Sequence, residues 1–331
     1  MGVAVGVPSW LLGACGGSAS GGVPTVAGKL EIKATHGTGL CNLGIFLEKE
    51  RKLAEGIDLQ FVVTPTVADQ ATLFGAGQVN ASVIPYTNFM TLYDHGAPVR
   101  IVAGGGVQGC VVAAQPGIAN AAALRGKTLG TFQADTLEML AYDYLKKNGM
   151  SFKDVNVRYF GTSPELADAF ITGKIDAISH IEPYATQALR AVKNSVELTN
   201  GIDVYMPGYT DCVLAVSQAL IRDHPAAVKS LIRGLMVAQY QAETNRASAV
   251  KLTTGPYYKA SYSDVLDAST KQPNVVDQRR NTQFILHGAR NLKQLNYIRK
   301  VPGSEIFDYT LLEQVIREEP ALYNSLKRKY A

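Results

Sequence analysis

The sequence predicts an α/β protein of two similar lobes joined by two crossing strands, on the grounds of chain length, a strand–helix alternation and a pattern that occurs twice. With 331 residues, the chain exceeds one small domain, and two α/β domains are the natural division. Hydrophobic residues make up 47% and charged residues 18%, a composition able to bury a large core. The repeat reads LFGAGQVNASVIPY at 73–86 and AFITGKIDAISHIEPY at 169–184. In each copy a helix end leads through a glycine suited to the left-handed conformation, Gly77 or Gly173, into a short buried strand.

Each half runs in the same order. A strand (LEIKA or KTLGTF) leads through a loop to a helix (LGIFLEKERKLAEG or TLEMLAYDYLKKNG), then to a second strand (IDLQFVV or VNVRYF), another helix and the repeated strand. Apolar residues recur at helical spacing in both first helices, and Gly56 and Gly149 stand at the expected stops. This alternation predicts parallel sheets with helices on both faces. Two short apolar runs, Cys110-Val111-Val112-Ala113 and Cys212-Val213-Leu214-Ala215, read as the crossings between lobes. Cys110 and Cys212 then occupy equivalent places on neighbouring crossings, where a disulfide and two packed free thiols are both open. The expected division is 29–107 plus 209–331 for lobe one and 108–208 for lobe two. In HPAAVKSLIRGLMVAQYQAE, His224 and Pro225 suit a helix start.

At residues 1–28 the run VAVGVPSWLLGAC has the length of a signal-peptide core and is too short to span a bilayer. Its end, Leu12-Gly13-Ala14-Cys15, resembles the bacterial lipobox, whose cysteine receives lipid, and GGSASGG follows as a flexible tether. The first basic residue is Lys29, so a charged leader is expected ahead of residue 1.

From about residue 29 to 322 the chain resembles the nitrate/sulfonate/taurine class of ABC-importer solute-binding proteins, related to pyrimidine-precursor binders. The pieces that carry the resemblance are the repeat, LRGKTLGTF, LKKNGMSFKDVNV, IEPYATQAL and HPAAVKSLIRGL, in that order and spacing. The resemblance implies the type II periplasmic-binding-protein fold and a small organic or anionic solute in the interlobe cleft. It also implies docking on a membrane permease and a periplasmic or cell-surface location. Such proteins often carry Trp before the Glu-Pro, where this chain has Ile181.

Ligands of open α/β sheets lie beyond the carboxyl ends of the strands. That rule selects His36, Thr38, Thr66 and Tyr86 in lobe one. In lobe two it selects Phe132, Gln133, Asp135, Thr136, Glu182 and Tyr184, and at the crossings Cys110, Tyr209 and Asp211. Helix starts at these loops favour an anionic or polar ligand group. Thr66 and Asp135 equally suit capping of their own helices, whereas Thr38, between glycines, is read as a contact. Glu182 suits either an amine-like ligand group or a contact that sets the hinge. Phe132, Tyr86, Tyr184 and Tyr209 stack on a planar ligand or wall the cleft.

A net charge of +4 from scattered Lys and Arg argues against nucleic acid as a partner. Four cysteines without a CxxC pair, and His36 and His180 without a close cluster, argue against a metal site. His180 reads instead as a hydrogen-bonded core residue. No GxSxG, HExxH or GxxxxGK[ST] pattern is present. The expectation is a monomeric binding protein with no cofactor and no catalysis, lipid-anchored through Cys15. The rival is a same-fold enzyme of pyrimidine or menaquinone biosynthesis.

Overall fold

The computed structural model describes residues 24–26, 28–63 and 67–327. Five strands open the first sheet: β1 (Thr25–Val26), β2 (Lys29–His36), β3 (Ile57–Phe61), β4 (Ala81–Pro85) and β5 (Val99–Gly104). The next five form a second sheet: β6 (Cys110–Ala114), β7 (Thr128–Thr131), β8 (Asn156–Tyr159), β9 (Ala177–Ile181) and β10 (Val196–Thr199). Then β11 (Cys212–Ser217) returns to the first sheet. Leaving aside the short β1 on β2, the strand orders are β3-β2-β4-β11-β5 and β8-β7-β9-β6-β10. These are one topology built twice.

The helices repeat as well. In lobe one α1 (Leu43–Arg51), α2 (Val67–Gly75) and α3 (Tyr86–Asp94) follow β2, β3 and β4. In lobe two α4 (Thr136–Lys147), α5 (Ser163–Ile171) and α6 (Tyr184–Ala191) follow β7, β8 and β9. After β11 come α7 (Gln218–Asp223), α8 (Pro225–Thr244), α9 (Arg246–Thr253), α10 (Tyr262–Lys271), α11 (Thr282–Gln294), α12 (Thr310–Glu318) and α13 (Pro320–Ser325). Ile45 and Phe46 of α1 pack with Leu231 and Leu235 of α8 in one core layer, while Phe74, Phe89 and Ile101 form another. Leu129 and Leu140 sit in one layer of lobe two, and Phe170 and Ile178 in the other. Apolar layers thus cover both faces of each sheet, the arrangement that strand–helix alternation demands.

The sheets are mixed rather than all parallel. β2 pairs parallel with β3 and β4, and β7 with β8 and β9. However, β11 runs antiparallel between β4 and β5, and β6 antiparallel between β9 and β10. The reason is geometric. Both strands follow a passage from the opposite lobe, so they enter their sheet at the cleft end, where the parallel strands finish. The runs at Cys110 and Cys212 are therefore not the crossings; they lie in different sheets. The crossings are the segments just before them, which touch through an isolated bridge between Val107 and Thr210 and through Gln108 N–H donating to the Tyr209 carbonyl at 2.9 Å. Gly109 there has φ +83°, and a Cβ on it would lie 2.5 Å from Gln272, so only glycine fits.

Gly77 and Gly173 take φ +68° and +71° behind α2 and α5, as the repeat requires. Gly149 takes φ +70° beyond α4. The first helix stops earlier than expected. α1 ends at Arg51, where Lys52 adopts φ 51° and the Leu53 N–H returns to the Glu48 carbonyl; Gly56 turns the chain into β3 instead.

Candidate functional site

The carboxyl ends of β2 and β4 face those of β7 and β9 across the cleft, and between them lies a cavity of about 130 Å³. Lobe one lines it with Thr38, Asn42 and Asn88, and lobe two with Phe132, Asp135, Thr136 and Ser163. Asp211 enters from the second crossing. The lobes touch directly around it. Thr38 and Ser163 share a hydroxyl hydrogen bond of 2.8 Å, and the Leu40 N–H donates to the Glu182 carbonyl at 2.9 Å. A Cβ on Gly39 would lie 2.8 Å from Ile181 Cγ1, so its lack of a side chain permits this approach. Farther out, Arg190 of α6 pairs with Asp264 of α10 at 2.8 Å, and Asn291 of α11 donates to Asp143 of α4 at 3.0 Å.

The acidic side of the cavity follows from local chain chemistry. Asp135 is the N-cap of α4: Oδ1 accepts from the Leu137 N–H at 3.1 Å, satisfying one of the helix's free donors. The Thr136 hydroxyl donates to Asp211 Oδ1 at 2.6 Å, and Gln272 Nε2 donates to Asp211 Oδ2 at 2.8 Å. Asp135 is 9% exposed and Asp211 1%. Burial pushes the Asp135 carboxyl up to about 6 and the Asp211 carboxyl up to about 7, the neighbouring Asp135 charge adding to the latter. Hydrogen bonds from Thr136 to both, Leu137 and Gln272 pull the other way and are outweighed.

Of the thirteen residues selected from sequence, Thr38, Phe132, Asp135, Thr136 and Asp211 line this cavity. Glu182 does not. It is fully buried, with its oxygens accepting from the Thr186 N–H at 3.0 Å and hydroxyl at 2.9 Å, and Lys271 3.8 Å away. The strand end carries this carboxylate back over its own helix, which favours the hinge-contact alternative. His36 packs edge-on against Phe46 and Phe61, its Nδ1 2.8 Å from the Gly37 carbonyl, and burial lowers its pKa. Tyr86 packs edge-on against Phe284. Tyr184 stacks on His180 and accepts a hydrogen bond from the Lys259 N–H, and Tyr209 donates to the Asn200 carbonyl. These three tyrosines wall the cleft rather than line the cavity. Gln133 is exposed and hydrogen-bonds Tyr297 instead of lining the cavity, one residue out of phase with Phe132. Thr66 and Cys15 lie outside the described residues.

His180 is the core residue expected: fully buried, with Nε2 2.9 Å from the Ser163 carbonyl and burial holding its pKa down at about 4. Cys110 is a free buried thiol, 3.8 Å from the Thr136 hydroxyl and 3.7 Å from Asp211. Burial and the Asp211 charge push its pKa well up, so it is held as an unreactive thiol. Cys212 is bridged, but to Cys41 rather than Cys110, with Cα atoms 5.9 Å apart. The two cysteines equivalent by repeat belong to different lobes, whereas Cys41 lies in Cys212's own lobe. Cys41, Cys212 and Asp211 bring donor atoms within 4.8 Å of one another, yet the two sulfurs are bonded to each other and neither is a thiolate.

Sequence reasoning missed Asn42, Asn88, Ser163 and Gln272. The strand-end rule selected Tyr86 and stopped two residues short of Asn88, which faces the cavity from the first turn of α3. Asn42 and Ser163 also follow strand ends and were open to the same rule. Gln272 arrives from the end of α10, more than sixty residues after its partner Asp211, and no local pattern announces it.

A family model described as NMT1/THI5 like matches residues 53–243. No curated protein matches the sequence. Among solved structures, a ligand-binding component of an ABC-type import system from Staphylococcus aureus, solved with zinc bound, superposes with a TM-score of 0.74 at 17% identity, covering 86% of this chain and 98% of that one. The periplasmic aliphatic sulphonate-binding protein SsuA from Escherichia coli gives 0.69 at 17% identity, covering 82% and 89%. The periplasmic nitrate-binding protein NrtA from Synechocystis PCC 6803 gives 0.72 at 14% identity, covering 90% and 91%. The fold is that of these two-lobed binding proteins. Among the described residues no helix is long and apolar enough to cross a membrane.

Proposed function

The chain belongs to the NMT1/THI5-like family, and from that premise we propose that it is the extracytoplasmic solute-binding component of an ABC importer. The observation that carries this reading is the cavity closed between two lobes, whose lining comes from both lobes and from a crossing segment. A solute there touches both walls at once. It therefore favours the closed form by contacts the open form lacks, which is the thermodynamic requirement for closure on binding. Thr38, Asn42, Asn88, Phe132, Asp135, Thr136, Ser163 and Asp211 hold the solute, and the closed form is the one the permease reads. Catalysis is not part of this reading: the cavity's nearest thiol, Cys110, is buried, and burial and the Asp211 charge beside it hold its pKa well up.

Cys15 carries the lipid that keeps the protein at the membrane. Cys15→Ala is expected to release the protein to the soluble fraction and abolish incorporation of labelled fatty acid; unchanged attachment refutes the anchor. For the binding function itself, a thermal-shift screen across small anions, cations and heterocycles is expected to find a solute that raises Tm with the logarithm of its concentration. That solute comes back chemically unchanged after incubation. Recovery of a converted product instead would make the protein an enzyme on a binding-protein fold.

A further inference from the structure

We propose that the cleft selects a small organic cation, an ammonium or amidinium group on a body about the size of benzene, and excludes oxyanions such as nitrate and sulfonate. The inference rests on the binding-protein reading and adds the charge of the solute. Asp135 and Asp211 both line the cavity, and no Lys, Arg or His is among the described residues that do. Asp135 accepts from the Leu137 N–H at Oδ1 and from the Thr136 N–H, and its side chain, 9% exposed, lines the cavity. A carboxylate has about four acceptor sites, so one buried beside a cavity keeps accepting capacity that a solute N–H fills.

In lobe two the starts of α4 and α5, the usual kind of anion site, are already occupied. Asp135 caps α4 with its own carboxylate, and Thr162 caps α5 by accepting from the Glu165 N–H. The Phe132 ring supplies an aromatic wall beside the acids, the combination that attracts organic cations by charge and by ring quadrupole. Size follows from the volume: about 130 Å³ is close to the roughly 150 Å³ that holds benzene in a protein interior.

The charged or titratable groups among the described residues that act most strongly on the pair support the same polarity. Around Asp135 they are Glu138 and Asp211; around Asp211 they are Asp135, the Cys110 thiol, and the Tyr86 and Tyr209 hydroxyls. None is a cation. The pair holds protons more tightly than free carboxyls, so a permanent cation binds better as pH rises and both sites ionise. An anion, accepted only by the protonated pair, binds worse.

The test is isothermal titration of the full chain with guanidinium, acetamidinium and choline against nitrate, acetate and ethanesulfonate, at pH about 5 and about 8, on either side of the pair's titration. At least one cation is expected to bind, with its association constant rising about tenfold or more between the two pH values. Asp135→Asn, which keeps a good N-cap, is expected to lower that constant about tenfold. Asp211→Asn is the second variant, should the first fail to fold. Three outcomes overturn the inference: binding by no cation, an anion binding more tightly than every cation at the higher pH, or cation binding indifferent to both variants. A tight anion that is returned unchanged would leave the binding-protein reading standing and remove only the cation; a converted probe would remove the reading itself.

Discussion

The two lobes share strand order, helix order and the Pro-Tyr step after the repeated strand, yet they meet the cavity with different chemistry. Lobe one offers neutral donors and acceptors: Thr38 and Asn42 at a loop thinned by Gly37 and Gly39, and Asn88 on α3. Lobe two and the crossing offer Phe132, Asp135 and Asp211. Their cysteines differ in the same way: Cys212 at the start of β11 is bridged to Cys41, while Cys110 at the start of β6 is free. The repeated Phe74 and Phe170 pack the sheets, whereas the residues that differ between the lobes line the cavity.

The largest effect is expected at the repeated core. Phe74 and Phe170 are the same residue of the repeat, 1% and 0% exposed, so alanine at either should cost about 3–5 kcal/mol in urea unfolding. A cost below about 1 kcal/mol at one position only would deny the equivalence. The cysteines sharpen the difference between lobes. Cys41 and Cys212 are 171 residues apart, and replacing both by alanine should cost about 2–5 kcal/mol, whereas Cys110→Ala should cost about 1 kcal/mol. Equal sensitivity to reductant in a protein lacking the Cys41–Cys212 pair would place the bridge elsewhere.

The charge asymmetry has a pH signature. The Asp211 carboxyl is pushed up to about 7 in the fold, so the folded chain holds this proton more tightly than the unfolded one. Its burial penalty is absent below the ordinary carboxylate range, grows as pH rises, and is complete above about 7. Asp211→Asn should therefore stabilise the solute-free protein relative to the parent by roughly 1–4 kcal/mol at pH 8, an advantage that fades towards pH 4. His180, buried neutral, works in the opposite direction but is common to both proteins and cancels in the difference. A pH-independent difference would show that Asp211 is not desolvated. Smallest is the exposed interlobe pair: Arg190→Ala, which loses Asp264 and Asp267, should change stability by at most about 1 kcal/mol and only at low salt.

Much of this was legible in the sequence because repetition is local. The glycines at 77 and 173, the strands behind them and the helical periodicities are each set within a dozen residues, and they fixed the two-lobed class. The antiparallel sense of β6 and β11 was not legible, since it depends on the end from which the chain re-enters a sheet. For the site, the strand-end rule reached Thr38, Phe132, Asp135, Thr136 and Asp211 without knowing their orientation. It overreached at Glu182, whose carboxylate turns back to Thr186, and at Tyr184 and Tyr209, whose hydroxyls meet backbone groups of the cleft wall. Strand ends fix where a residue starts, while rotamers decide what it touches. The Cys41–Cys212 bridge and the Gln272–Asp211 bond join residues far apart in sequence and required the packed chain.

Closure over the solute is tested most directly at the Thr38–Ser163 contact, where the lobes meet beside the cavity at 2.8 Å. A chain carrying Thr38→Cys and Ser163→Cys can be oxidised after loading with a radiolabelled solute found by the screen, and its release followed by filtration. The oxidised protein is expected to retain its label until reductant is added, and protein oxidised while empty to take up none. Label exchanging at one rate before and after oxidation, with the cross-link verified by mass, would contradict closure over the solute.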